Sequence, residues 1–282
     1  MAATTTRQAQ GVPVLPPPPT GRAGFSGTLR SEFTKIRSVR STYWTLLVLL
    51  AISIGIGAAI CAGTAANWNQ TSAADRATFD ATQVSIAGLF YLGQLVIVVL
   101  GALVITSEYS TGMIRTSLTA MPRRVTVYAA KALVFAVIAL AVTLVAAFIA
   151  FFLGQALLAS THENATLSEP NVLRAVIGSA LYVTLCGLFA FAAGAIFRHT
   201  AASITAIIGL LFVIPILIHL LPSSWYDDIV RWMPDSAGTA ITATVAPQNS
   251  HLFSPWGQFS VFAVYTAILL VVGGILFLKR DA

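Results

Sequence analysis

Charge is what this sequence has least of. Asp, Glu, Lys and Arg make up 9% of its 282 residues, against about a quarter in a soluble domain. That scarcity excludes a soluble enzyme and leaves the bilayer as the solvent. Cysteine is nearly absent too. Cys61 and Cys186 lie inside apolar runs, so neither a disulfide framework nor a metal site is expected, and both read as buried thiols. The four histidines, His162, His199, His219 and His251, are scattered at span ends and loops. No G-x-x-x-x-G-K-[ST] phosphate loop occurs, and no H-E-x-x-H, so ATP hydrolysis by a P-loop and metalloprotease chemistry are excluded. No catalytic or metal-binding residue is expected. No apolar run begins before residue 43, so no cleavable signal peptide is expected.

One further absence carries the functional argument. No Asp, Glu, Lys or Arg lies in the middle of any long apolar run. An ion-coupled carrier keeps carboxylates at membrane depth, so that class is disfavoured. Energy for uphill transport would have to arrive from outside the chain.

What is present is hydrophobic length. A span needs about 20 residues as helix, and six runs supply it: 43–64, 83–106, 132–158, 172–197, 201–221 and 257–278. The fold class is therefore an all-α polytopic membrane protein with six transmembrane helices. Lys and Arg divide 13 to 3 between the alternate sides of these runs, and the acids 3 to 7. Positive charge in short loops marks the cytoplasmic side, which puts both termini in the cytoplasm and the protein in the cell membrane. The net charge of +6 thus flanks the membrane and signals no nucleic-acid partner.

Residues 1–27 lack apolar periodicity and hold the Pro16–Pro19 run, the pattern of a disordered, extended tail. Residues 28–42 read as an amphipathic interfacial helix. Leu29, Phe33, Ile36 and Tyr43 fall on one side, with Arg30, Lys35, Arg37 and Arg40 around the rest. Ser26 or Thr28 can cap it, and Glu32 suits its early turns.

The stretch Ser107–Lys131 is a polar, basic island between two charge-free runs. Gly112 allows a turn. Met113, Ile114, Leu118 and Met121 then form an apolar stripe beside Arg115, and Pro122 suits the first turn of the next helix, which continues through Arg123, Arg124 and Lys131. Two readings stand at this point, a docking knob for a cytosolic protein or a loop that only fixes topology.

On the other side, 222–256 is the longest connection. Two short helices are expected there, one capped by Ser224 and running through Trp225, Ile229 and Met233, the next capped by Asp235 and running from Ser236 to Val245. Trp225 and Trp232 suit a membrane interface. The pair reads either as an aromatic belt or as an outer gate built on Trp225, Ile229, Trp232 and Met233. Pro215 should kink the fifth run, Arg174 should snorkel, and Gly55 and Gly57 should thin the first. Ala190 and Gly194 offer close contact, with Gly187 nearby. Gln94, Gln155 and Thr205 are polar at membrane depth and need partners. Phe90, Gln94 and Phe212 are the candidate lining of a central cavity.

L-R-S-E-F-T-K-I-R-S-V-R-S-T-Y-W at 29–44, S-E-Y-S-T-G-M-I-R-T-S-L-T-A-M-P-R-R at 107–124 and L-P-S-S-W…M-P-D-S-A-G at 221–238 resemble actinobacterial permease subunits of ABC-2 exporters. The resemblance implies a dimer, most simply a homodimer, in membrane lipid. It also implies two separate cytosolic ATPase subunits that bind ATP and Mg, so the chain itself has no cofactor. It places a coupling helix on Glu108, Gly112, Met113, Ile114, Arg115, Leu118, Pro122, Arg123 and Arg124, with the interfacial helix beside it, and re-entrant gating helices between spans 5 and 6. Family cargoes include drugs, antibiotics, lipids and polysaccharides. The expectation is a permease that moves a hydrophobic or amphipathic cargo by alternating access. The rival is a non-transporting scaffold or sensor using the same loop to hold a partner.

Overall fold

The computed structural model describes residues 24–113, 123–245 and 252–279. Six helices in it are long and apolar enough to cross a membrane: Arg40–Gln70 (span 1), Ala81–Ser110 (span 2), Arg124–Thr161 (span 3), Val172–Phe197 (span 4), Thr200–Ile218 (span 5) and Pro255–Lys279 (span 6). No strand occurs among the described residues. Residues 1–23 of the Pro-rich tail, the positions Ile114, Arg115, Leu118 and Pro122, and the last three residues lie outside the described residues, while 25–27, expected in the tail, belong to the first helix.

Span 4 is the most enclosed helix and span 2 the next. They meet through glycine. A Cβ on Gly101 would overlap the carbonyl oxygen of Gly187, and one on Gly194 would run into Ile105. Without side chains at these points the two backbones come together, as lipid-embedded helices require in place of a hydrophobic drive. Spans 1 and 2 repeat the device, since a Cβ on Gly57 or Gly88 would strike the backbone of Ser85 or Ser53. Gly55, by contrast, faces open space, so only one of the two expected glycines thins span 1.

Polar groups cross-link the bundle. Thr143 of span 3 donates to the Ala180 carbonyl at 3.2 Å and lies 3.1 Å from the Thr184 hydroxyl. Tyr128 donates to the Leu270 carbonyl of span 6 at 3.1 Å. Gln155 finds three partners: its amide donates to Ala81 O at 3.1 Å and Ser85 Oγ at 2.9 Å, and its oxygen accepts from Ala165 N at 2.7 Å. Gln94 accepts from the Cys186 thiol at 3.9 Å. Thr205 is exposed on span 5. Both cysteines are free and buried.

Two spans carry a π turn. In span 5 it covers Gly209–Val213, immediately before Pro215. Proline has no N–H and crowds the carbonyl four residues back, so the helix widens by one residue to clear it. In span 2 it covers Leu89–Gly93 with no proline near. Within it the buried Phe90 stacks on Tyr182 at 5.5 Å between ring centroids.

Several boundaries differ from the sequence expectation. The first helix runs Phe25–Ser38, with Gly24 at its N-cap and no side-chain cap from Ser26 or Thr28. The chain then bends at Val39 (φ −86°, ψ 109°) and span 1 starts at Arg40. Arg40 and Tyr43 therefore belong to span 1 and not to the first helix. Between spans 5 and 6, the short helices are Ser223–Val230 and Pro234–Thr242, with Pro222 and Met233 at the N-cap positions in place of Ser224 and Asp235.

Candidate functional site

The first helix packs by its polar side. Thr28 and Glu32 are buried and Lys35 is half-buried, while Phe33 is 47% exposed. Spacings of four and three residues put Thr28, Glu32 and Lys35 on one face. That face meets the ends of spans 2 and 3, where Glu108 and Lys131 come in from the other side. Lys131 Nζ sits 2.5 Å from Glu32 Oε2 and 2.7 Å from Glu108 Oε1. Lys35 Nζ sits 2.7 Å from Glu32 Oε1 and 3.2 Å from Glu108 Oε1. Two acids and two bases from three elements thus form an electrically neutral quartet.

Burial makes this quartet matter. Glu32, Glu108 and Lys131 are each at most 6% exposed, so an unpaired member would be an uncompensated charge out of water. Burial on its own would raise the Glu32 pKa, but the Lys131 ammonium, helped by Lys35, holds it below the ordinary value of 4.5. Burial would lower Lys35, and the two carboxylates hold it above 10.5. The signs fix a pH window. Glu32 contributes stability above its ordinary pKa and loses it as pH falls through the lowered one. Lys35 contributes below its ordinary pKa and loses it as pH rises through the raised one. Between those limits Glu32 and Lys35 both stay charged. One atom is left over: Glu108 Oε2 is buried with no partner among the described residues. An unsatisfied buried acceptor costs about 1–3 kcal/mol, more when charged.

The quartet flanks the segment expected to dock. Gly112 adopts φ +70°, a left-handed conformation that glycine takes without strain, so the chain turns here as expected. Gly112, Met113 and Arg123 are exposed. Arg124 caps the far end of span 6 by donating to the Leu278 carbonyl at 3.3 Å. Glu108 is different. Its carboxylate is turned into the bundle, so the expected docking acid is instead a member of the joint. Lys131 likewise is enclosed and does not belong to an exposed basic loop. Arg37 lies exposed on the first helix.

The opposite end of the bundle holds a second arrangement. Trp225 and Trp232 are 64% and 47% exposed, and Ile229 and Met233 are half-buried. The helix Pro234–Thr242 is not amphipathic in use, because Pro234, Ser236, Ala237, Gly238, Ala240, Ile241 and Thr242 are all buried. It is wedged against spans 4 and 6. Gly238 has no room for a Cβ beside Phe90 and Tyr182. Phe90 and Gln94 are therefore filled in by packing, and Phe212 packs half-buried on the same core.

Asp80 fastens the end of that helix. Its Oδ1 accepts from Gln83 N at 2.9 Å, capping span 2. Its Oδ2 accepts from Thr244 N at 2.5 Å and Val245 N at 3.3 Å. Arg174 donates to the Ala243 carbonyl, so it holds the helix C-terminus and does not snorkel. Sequence reasoning missed Asp80 and the quartet. The signal for the quartet was that Glu32 and Glu108 are acids within otherwise basic segments.

The family model described as ABC-2 family transporter protein matches residues 28–222. A comparison with curated proteins finds no significant match. The matched region contains the whole charged joint and five of the six membrane-spanning helices, well over half of the sequence, and on that ground the chain belongs to the ABC-2 family of transporter membrane proteins.

Proposed function

We propose that this chain is the membrane subunit of an ATP-driven exporter for a hydrophobic or amphipathic cargo, working as a dimer on two cytosolic ATPase subunits. Membership of the ABC-2 family makes the chain a multi-pass transport subunit and implies association with ABC ATPase partners. The finer reading rests on one observation, the buried quartet that joins the first helix, span 2 and span 3, two of whose members, Glu108 and Lys131, bracket residues 111–123 in the sequence. A push on that segment cannot move one of the three elements alone without exposing or unpairing a buried charge. ATP and Mg would be held by the partner, whose closure pushes on the segment through Gly112, Met113, Ile114 and Arg115. The basic end, with both termini, faces the cytoplasm. The Phe25–Ser38 helix lies in the inner interface with Phe33 in the lipid. At the other end, Pro234–Thr242 is a re-entrant plug and Trp225 and Trp232 form its rim. A packed region around Phe90, Gln94 and Phe212 opens only when the plug moves. Alternating access follows from driving the joint at one end and releasing the plug at the other.

Ile114→Asp, or charge reversal at Arg115, is expected to abolish co-purification of the ATPase subunits while the permease still folds. Survival of the complex through both changes would move the docking site elsewhere. A scaffold that only holds a partner predicts the same loss but no cargo-stimulated ATP hydrolysis in liposomes.

A further inference from the structure

With its polar face turned into the bundle, the first helix leaves Leu29 and Phe33 beside span 3. Together with Leu133, Val134, Val137 and Ile138 they line an open groove of about 350 Å³. Phe33, Leu133 and Val137 are exposed along it. The residues from span 3 begin two positions past Lys131, inside the charge-free run 132–158, so the floor of the groove lies against hydrocarbon.

Arg30 is the polar residue of this lining. It also borders the next face of the helix, which carries Ser31, Thr34 and Ser38. Arg30 therefore stands where apolar surface gives way to hydroxyls, the depth at which an interfacial helix meets lipid headgroups. It is exposed, as are Arg37 two turns on and Arg40, and none of the three forms an ion pair among the described residues. The two acids described at this end, Glu32 and Glu108, do not offset them, because both are buried and held by Lys131 and Lys35. Assembly of the quartet thus leaves the described outer surface of the helix positive.

These walls select among occupants. A cationic head is repelled, and a zwitterionic head brings no net charge to the arginines. A soluble anion gains nothing from the apolar floor. An acyl chain with an anionic head uses both the floor and the guanidinium.

We propose that this groove binds an anionic phospholipid, its phosphate accepting from the Arg30 guanidinium and one acyl chain lying on Phe33, Leu133 and Val137. A lipid held there fastens the helix that carries Glu32 and Lys35 to span 3, beside Lys131. The site rests on the interfacial placement of the Phe25–Ser38 helix proposed above, and not on the ATPase or the direction of transport.

The test is photolabelling of the full chain in phosphatidylcholine nanodiscs, followed by peptide mapping. The probe is a trace of phosphatidylglycerol, or of phosphatidylcholine, with a diazirine in the acyl chain. One arginine beside an anionic surface strengthens binding about fivefold. Phosphatidylglycerol should therefore label 29–33 and 133–138 about fivefold more than phosphatidylcholine does. Val264 and Ile268, exposed on span 6, should take up both probes equally. Arg30→Gln should remove the preference, and Arg30→Lys, which keeps the charge, should retain it to within about twofold. Arg30 is exposed, so neither change touches the packed core. Excess inorganic phosphate should leave the label unchanged. Equal labelling by the two probes overturns the proposal while leaving the helix in the interface. Failure of both probes to label 29–33 overturns the proposal and the interfacial placement together. Displacement by inorganic phosphate, or a preference undiminished in Arg30→Gln, also overturns the proposal.

Discussion

Lys131→Met is expected to destabilise the folded chain by about 3–5 kcal/mol, the cost of leaving a buried charge without its partner. Lys131 is 4% exposed and bonds both Glu32 and Glu108. Methionine fills a similar volume, so the loss is electrostatic and not steric. Two carboxylates are then left to Lys35 alone, itself 3.2 Å from Glu108. Denaturation of the purified chain in mixed micelles measures the change. A loss below about 1 kcal/mol, the range of surface pairs, would mean that the joint is wet and carries no mechanical role. The double variant Lys131→Met with Glu108→Gln restores neutrality, leaving Glu32 paired with Lys35. It is expected to recover most of the stability, because a buried ion pair can often be replaced by neutral groups at little net cost. It does not restore the tie between span 3 and the first helix. Cargo should therefore no longer stimulate the partner ATPase although the complex still assembles. Full stimulation in that variant would remove the quartet from the coupling path.

The second large effect is expected at the opposite end. Asp80→Ala removes the acceptor for Gln83 N, Thr244 N and Val245 N together. Hydrogen bonds to a charged group are each worth about 1.5–3 kcal/mol, and water will replace part of them at this end, so a net loss of about 2–4 kcal/mol is expected. The loss is local, because Arg174 on Ala243 O and Gln83 Nε2 on Thr242 Oγ1 (3.4 Å) still hold the end of the Pro234–Thr242 helix. Ala240, 4% exposed in that helix, reports the movement. An Ala240→Cys chain should react slowly with a membrane-impermeant thiol reagent and at least tenfold faster once Asp80 is also Ala. The two native cysteines are buried and give little background. Unchanged reactivity would show that packing on Phe90 and Tyr182, not Asp80, keeps the helix in place.

The six spans were legible because hydrocarbon thickness imposes a length that composition alone reveals, and each sequence run overlaps its observed helix. At Pro215 the sequence suggested a kink, and the structure places a π turn at Gly209–Val213 ahead of it. The joint was not legible. Glu32 lies 76 residues from Glu108 and 99 from Lys131 in sequence, and each alone reads as an ordinary charge near a span end. Only tertiary packing turns a helix around so that its polar face is inside and Phe33 is out. Asp80 escaped for the same reason, as its partners Thr244 and Val245 come from the far end of the chain. The Pro234–Thr242 helix misled in the other direction. The tryptophans before it suggested a membrane interface for the pair of short helices, while Ala237, Gly238 and Ala240 of this one are buried and let it fit against spans 4 and 6.

The most direct measurement is concentrative transport in proteoliposomes, using a fluorescent amphiphile and comparing the chain alone with the chain plus its ATPase subunits. The account predicts accumulation against a gradient only when the ATPase and ATP are both present, with the chain alone giving no more than equilibration. Uphill accumulation by the chain alone, driven by an ion gradient, would contradict it.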